Sequence, residues 1–194
     1  MEKTHTLVVE GPDDEKFLSD FIRFKFGDKI HSNVAFFRNG NHADGLKAKE
    51  TSIRERVLQT RVGIILDGDL QNFENTKKIT LDFASQVGIN HKDVFLFPDD
   101  ETFGRLETLL RKIIPENNQH IINCIDAYKK CISPLKDLNL KKFDHHNEIF
   151  VYVGSLEQAG NPKGEFREYN KPHVWDLSHH ELGPLLKFLQ SFFA

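Results

Sequence analysis

Cysteine is nearly absent from this chain, which holds two in 194 residues, Cys124 and Cys131, seven positions apart. That spacing is neither a CxxC redox pair nor a zinc knuckle, so it points to buried or half-buried thiols on one helix. Long apolar runs are missing as well, and none approaches the roughly 18–20 residues a membrane span needs. The opening stretch, MEKTHTLVVEGPDDE, lacks the charged, apolar and small-residue order of a secretory signal. A cytoplasmic protein with no membrane partner is expected. A basic excess is also lacking: 26 basic residues face 29 acidic ones, for a formal net charge of −3. The charge balance therefore advertises no nucleic-acid surface, and any such function must come from a site. There is no GxxxxGK[ST] segment, which removes the phosphate-loop ATPases.

What is present is ordinary globular material, 39% hydrophobic and 28% charged. The length fits one domain over residues 1–194, read as an α/β core over 1–114 with a helical extension over 115–194 packed on it. Short β-rich runs alternate with helical patterns. TLVV (6–9), NVAFF (33–37), VGIIL (62–66) and VFLF (94–97) read as strands. Between them, Phe17, Leu18, Phe21 and Ile22 form one apolar helical stripe, with Asp13 as its N-cap and Gly27 at its end. Residues 43–59 predict a second helix, and Ile79 to Val87 a third, closed by Gly88. Such alternation predicts a mainly parallel sheet of about four strands with helices on both faces. Further on, helices are expected around Leu106 to Ile113 and Ile121 to Ile132, with a closing one after Ser178 as N-cap. IFVYV (149–153) fits strand or helix, with a slight lean to helix, and 158–171 reads as a polar loop.

In an open parallel sheet, chemistry collects where loops leave the carboxyl ends of the strands. Three of the four strands end in or near acids. The first runs into Glu10, with Asp13 and Asp14 just beyond; VGIIL runs into Asp67-Gly68-Asp69; VFLF runs into Asp99-Asp100, with Glu107 on the next helix. Converging carboxylates repel unless a cation sits among them, and a hard divalent ion removes that cost. Asp67 and Asp69 stand at i and i+2, on one side of a strand extension, with Gly68 allowing close backbone approach. Taken singly, Asp13 is read as a helix cap, and Asp99 and Asp100 as turn residues.

The pieces LVVEGPDDEKF and VGIILDGD resemble the Toprim domain, shared by topoisomerases, primases and OLD-family nucleases. VFLFPDDETFGRLETLL and WDLSHHELGPLLKFL look like segments of standalone bacterial Toprim-like proteins of the OLD-nuclease type, so the resemblance spans nearly the whole chain. It implies that Glu10 is a metal ligand or general acid/base, that Asp67 and Asp69 hold Mg²⁺ or Mn²⁺, and that Asp14 and Glu107 are further ligands. It also implies a late basic partner, for which Lys142 and Lys163 are the candidates, each also legible as a surface lysine. The activity implied is metal-dependent phosphodiester cleavage of DNA or RNA, bound weakly and without sequence preference. A partner ATPase or another repair or defence protein would supply the motor this chain lacks. The competing reading is a non-catalytic module that holds a metal-chelated phosphate or nucleotide, or docks a partner.

Other motif readings fall away. The residues after Asp67-Gly68-Asp69 are not those of a haloacid-dehalogenase phosphatase. The chain is also too long for a response-regulator receiver. The doublets His145-His146 and His179-His180 point neighbouring rings apart, so neither is a good zinc chelate, and both read as solvated loop or helix-start residues.

Overall fold

A computed structural model describes residues 4–40, 42–68, 72–135 and 143–194. Four strands, β1 (His5–Val9), β2 (Val34–Arg38), β3 (Arg61–Asp67) and β4 (Val94–Phe97), run parallel in the order β2-β1-β3-β4. The register sets Leu7 beside Phe36 and Gly63, and Ile65 beside Phe95. Among the described residues the helices are α1 (Pro12–His31), α2 (His42–Ala48), α3 (Glu50–Val57), α4 (Phe73–Val87), α5 (Leu106–Lys112), α6 (Gln119–Ile132), α7 (His145–Gly154) and α8 (Gly183–Phe193). None is long and apolar enough to cross a membrane.

The two-residue period of a strand sends alternate side chains to opposite faces, and both faces here are covered. Leu7, Val9, Ile65, Phe95 and Phe97 point to one side, where they pack with Phe17 and Phe21 of α1, Leu109 of α5, Ile149 of α7 and Phe192 of α8. Val8, Ile64, Leu66 and Leu96 point to the other, against Leu46 of α2, Ile53 of α3 and Phe83 of α4. That division is why VGIIL lacks polar alternation.

The helices after residue 114 close the first of these faces. Phe192 is fully buried and stacks on Phe188 at 6.0 Å between centroids. It can lie on the sheet because β3 has Gly63 beneath it; a Cβ there would stand 2.9 Å from the Phe192 ring and 3.2 Å from Leu7.

Several local expectations are corrected. The N-cap of α1 is Gly11 rather than Asp13, since Pro12 fits the first helical turn and the Asp14 carboxylate reaches back to the Gly11 N–H at 2.8 Å. Gly27 does break the helix, at φ 76°, but helical backbone resumes to His31. The helix expected over 43–59 is two, α2 and α3, parted at Lys49. IFVYV lies in α7. The closing helix starts at Gly183 with Pro184 in its first turn, while Ser178 N–H is taken by Asp176 Oδ1 at 2.9 Å. Cys124 and Cys131 do share one helix but are exposed, because Ile122 and Ile125 occupy the inner face of α6. The polar loop after Gln158 also carries buried anchors, Arg167 and Tyr169, with Tyr169 edge-on to Phe17 at 5.2 Å.

Because Phe192 joins the C-terminal helix to the sheet, Phe192→Ala is expected to cost about 3–5 kcal/mol, the usual range for emptying a buried aromatic site. Urea unfolding followed by circular dichroism measures this; a loss below about 1 kcal/mol would mean α8 is not part of the sheet's packing.

Candidate metal centre

β1 leads into α1 on one face of the sheet, and β3 leads towards α4 on the other. The neighbouring strands β1 and β3 therefore send their chains to opposite sides, which opens a crevice at their carboxyl ends. Glu10 follows β1 directly, and Asp67 is the last residue of β3. Asp14 enters from the first turn of α1 and Glu107 from the first turn of α5. Four of the acids expected at the site thus meet there. Asp69 and Lys142 lie outside the described residues.

Two of these carboxylates, Asp67 and Asp14, are held by backbone N–H groups of other residues. Asp67 Oδ1 accepts from the Leu106 N–H at 3.0 Å, at the start of α5. Gly68, next in the chain, donates its N–H to the carbonyls of Phe97 (3.0 Å) and Gly104 (2.9 Å). A Cβ at Gly68 would sit 2.5 Å from the Phe97 oxygen, so the close approach needs glycine. Asp14 is fixed by the Gly11 N–H.

Burial and mutual repulsion then shape the electrostatics. Asp14 is 8% exposed; burial, together with the charges of Glu10, Glu107 and Asp13, pushes its carboxyl up to about 7 against the Gly11 hydrogen bond. Burial also raises Asp67 well above the carboxylate range, with Asp14, Glu10 and Glu107 adding to it. Burial raises Asp13 as well. Glu107 goes the other way. Burial opposes its ionisation, yet the His146 hydrogen bond and charge, helped by Arg167, hold it below the usual glutamate range. His146 is raised in turn, first by that hydrogen bond at 3.4 Å.

Two residues of this cluster depart from their sequence expectation, and a third has no signal of its own in the sequence. Asp13, taken for a cap, has its carboxylate turned towards Glu107 and His146, and ligating atoms of the three lie within 4.8 Å of one another. His146, taken for a solvated helix-start residue, does begin α7 and is exposed, but its Nδ1 faces Glu107. The buried cation at the centre is Arg167, 1% exposed, which donates to the Tyr169 hydroxyl (3.0 Å) and the Pro162 carbonyl (2.7 Å). Lys163 is exposed. A second cation, Arg105, stands with Nε 4.0 Å from Asp67 Oδ2. Asp99 and Asp100 do serve a turn: Asp99 Oδ1 accepts from the N–H groups of Glu101 and Thr102, and Asp100 pairs with Lys77 at 3.2 Å.

The model of DUF3226, a family of proteins of unknown function, matches residues 4–194. The chain belongs to that family. Comparison with curated proteins and with solved structures returned no match. The matched span takes in every residue of this DUF3226 centre, from Glu10 to Arg167.

The raised acids make stability pH-dependent in a definite direction. Between 3.8 and about 7 the folded chain keeps a proton on Asp14 that the unfolded chain has released, so stability falls as pH rises through that window. Asp67 acts with the same sign. Glu107, held low, acts oppositely, adding stability that is lost as pH falls below its ordinary 4.5. Chelator-treated protein is expected to lose melting temperature across the upper window, at up to about 1.4 kcal/mol per pH unit for each such group. Asp14→Asn should flatten that slope; an unchanged slope would show that the repulsion does not act through Asp14.

Proposed function

We propose that this chain is a metal-dependent phosphodiesterase that cleaves DNA or RNA, with Glu10, Asp14, Asp67 and Glu107 as its acidic centre. Mg²⁺ or Mn²⁺ is the ion this set suits, being hard and matched to carboxylate oxygen. Asp69, two residues past Asp67, is a further ligand on this reading. The observation that carries the proposal is the meeting of Glu10, Asp14, Asp67 and Glu107 at a sheet crevice, where burial and neighbouring carboxylates raise Asp14 and Asp67. Such crowding is costly when nothing positive lies between the carboxylates, and a divalent ion offsets it. The reading also agrees with the Toprim resemblance of the segments around Glu10 and Asp67.

A divalent ion bound there would lower the pKa of a coordinated water and polarise a phosphodiester oxygen. The chain's own residues orient the substrate and move protons. Glu10, at the end of β1, is the base or ligand nearest the strand. Arg105 sits beside Asp67, where its guanidinium can receive a phosphate oxygen. The backbone bonds to Asp67 and Asp14 keep these carboxylates from turning away. With a formal charge of −3 the protein has little general attraction for a polyanion, so binding is weak and falls with salt. A partner ATPase or other repair or defence protein would then deliver the strand, in the cytoplasm, where nucleic acid and Mg²⁺ meet.

The test uses supercoiled plasmid, single-stranded DNA and structured RNA at low salt with Mn²⁺ or Mg²⁺. Wild type is expected to cleave at least one of them. Glu10→Gln, which keeps size and removes charge, should lower the rate by about 10²-fold or more. Cleavage that persists in Glu10→Gln would refute the assignment. No cleavage with metal binding intact would favour the module that holds a metal-chelated phosphate without turnover.

A further inference from the structure

Asp13, Glu107 and His146 come from α1, α5 and α7, three elements distant in the chain, yet their ligating atoms converge within 4.8 Å. The chemistry of this set differs from that of the neighbouring acids. Glu10, Asp14 and Asp67 offer oxygen alone, which suits hard ions. An imidazole nitrogen shifts preference towards Mn²⁺, Co²⁺ or Zn²⁺ and away from Mg²⁺, which binds nitrogen poorly.

Independent features around the set point to a ligand. The Asp13 carboxylate is half-buried, and no described residue donates a hydrogen bond to it. It lies against the backbone of Gly164 so closely that a Cβ there would stand 1.6 Å from its Oδ2. The loop therefore leaves room for this carboxylate and for no side chain of its own. Arg167 is 1% exposed, and its Nε–H is buried without an acceptor. The Arg167 charge acts on all three members of the set. A buried guanidinium beside a bare cation would repel it. The two are reconciled when the ion carries an anionic oxygen that accepts from Nε.

We propose that Asp13, Glu107 and His146 form a distinct seat for a divalent transition-metal ion, which binds there with an anionic, phosphate-type oxygen ligand facing Arg167. Glu107 lies between this seat and the Glu10–Asp14–Asp67 set, since its charge acts on Asp13, Asp14 and Asp67 alike. The imidazole of His146, exposed on the outer side, gives the seat its selectivity. The proposal concerns ion binding and holds whether or not the chain cleaves nucleic acid.

The experiment titrates the chelator-stripped full chain with Co²⁺, read by its visible absorption, and separately with Mg²⁺ by calorimetry. Wild type should bind Co²⁺ more tightly than Mg²⁺ with a spectrum typical of nitrogen and oxygen ligation. His146→Ala and Asp13→Asn should each weaken Co²⁺ by more than about tenfold, while His146→Ala leaves Mg²⁺ affinity within about twofold. Glu10→Gln, which tests the cleavage proposal, should leave the cobalt spectrum in place. Circular dichroism checks that each variant is folded, and His146→Gln provides a second variant of similar volume. Inorganic phosphate should alter the wild-type cobalt spectrum. Equal Co²⁺ affinity in wild type, His146→Ala and His146→Gln would overturn the seat, and a spectrum indifferent to phosphate would overturn its anionic ligand. Loss of cleavage in Glu10→Gln with the cobalt spectrum retained, or no cleavage at all with cobalt bound, separates the fate of this seat from that of the nuclease.

Discussion

Carboxylates taken out of water beside one another repel, and the rest of this structure is arranged around that repulsion. Asp14 and Asp67 are both raised by burial, Asp14 adds to the elevation of Asp67, and Glu10 and Glu107 add to both. A flexible site would relieve the strain by letting the acids turn to solvent. Here they cannot turn, because backbone N–H groups hold Asp14 and Asp67 and close contacts at Gly68 and Gly164 hold the chain around them. Repulsion maintained by covalent and hydrogen-bonded constraint is what a bound cation would relieve on the reading proposed above.

The constraint reaches well beyond the crevice. Glu107 and His146 stand on α5 and α7, whose relative position is fixed by a buried charge. Glu148 of α7 is 1% exposed and receives Arg111 of α5 and Lys129 of α6, while Arg111 also meets Asp126 of α6 at 2.5 Å. Burial pushes the Glu148 carboxyl up, but hydrogen bonds from Lys129 and Arg111, with the charge of Lys129, hold it below the ordinary range. Breaking such a buried network by removing one partner typically costs about 3–5 kcal/mol. Its effect is geometric: it ties α5 and α7, which carry Glu107 and His146, to one another through α6. On the opposite flank, Asp20 of α1 accepts from the Tyr169 N–H at 3.1 Å and pairs with Lys16 at 2.7 Å, which anchors the loop carrying Gly164 and Arg167 to the helix carrying Asp13.

The sheet and its edge acids were legible in the sequence because they obey short-range rules. VGIIL reads as a strand covered on both faces whatever surrounds it, and β4 begins and ends where VFLF does. Glu10, Asp14, Asp67 and Glu107 follow from strand ends and helix starts, so position in the chain announces position in space. Asp13, His146 and Arg167 do not. Asp13 is one of three consecutive acids in a helix's first turn, where dipole and capping explain it without a ligand. His146 belongs to a doublet that local geometry argues against as a chelate, and its partner Glu107 lies thirty-nine residues away. Arg167 sits in a polar stretch with no periodicity, and only the packing of Tyr169 and Trp175 reveals that this loop is core. The glycine content of that loop was a signal of close approach, but not of what approaches.

The start of α1 has a related origin. The sequence points to Asp13 as the cap because an acid before an apolar stripe usually accepts from the helix's free N–H groups. In this chain Gly11 and Pro12 begin the helix earlier, and Asp14 takes over the capping hydrogen bond. That start, two residues ahead of Asp13, frees its side chain, which would otherwise be turned back onto its own backbone, to face α5 and α7. The same few residues thus determine both where α1 starts and which of its acids is available. A substitution that restored capping at position 13 would remove a carboxylate from the cluster without touching any residue across the crevice. The local chemistry of the helix start is therefore part of the site.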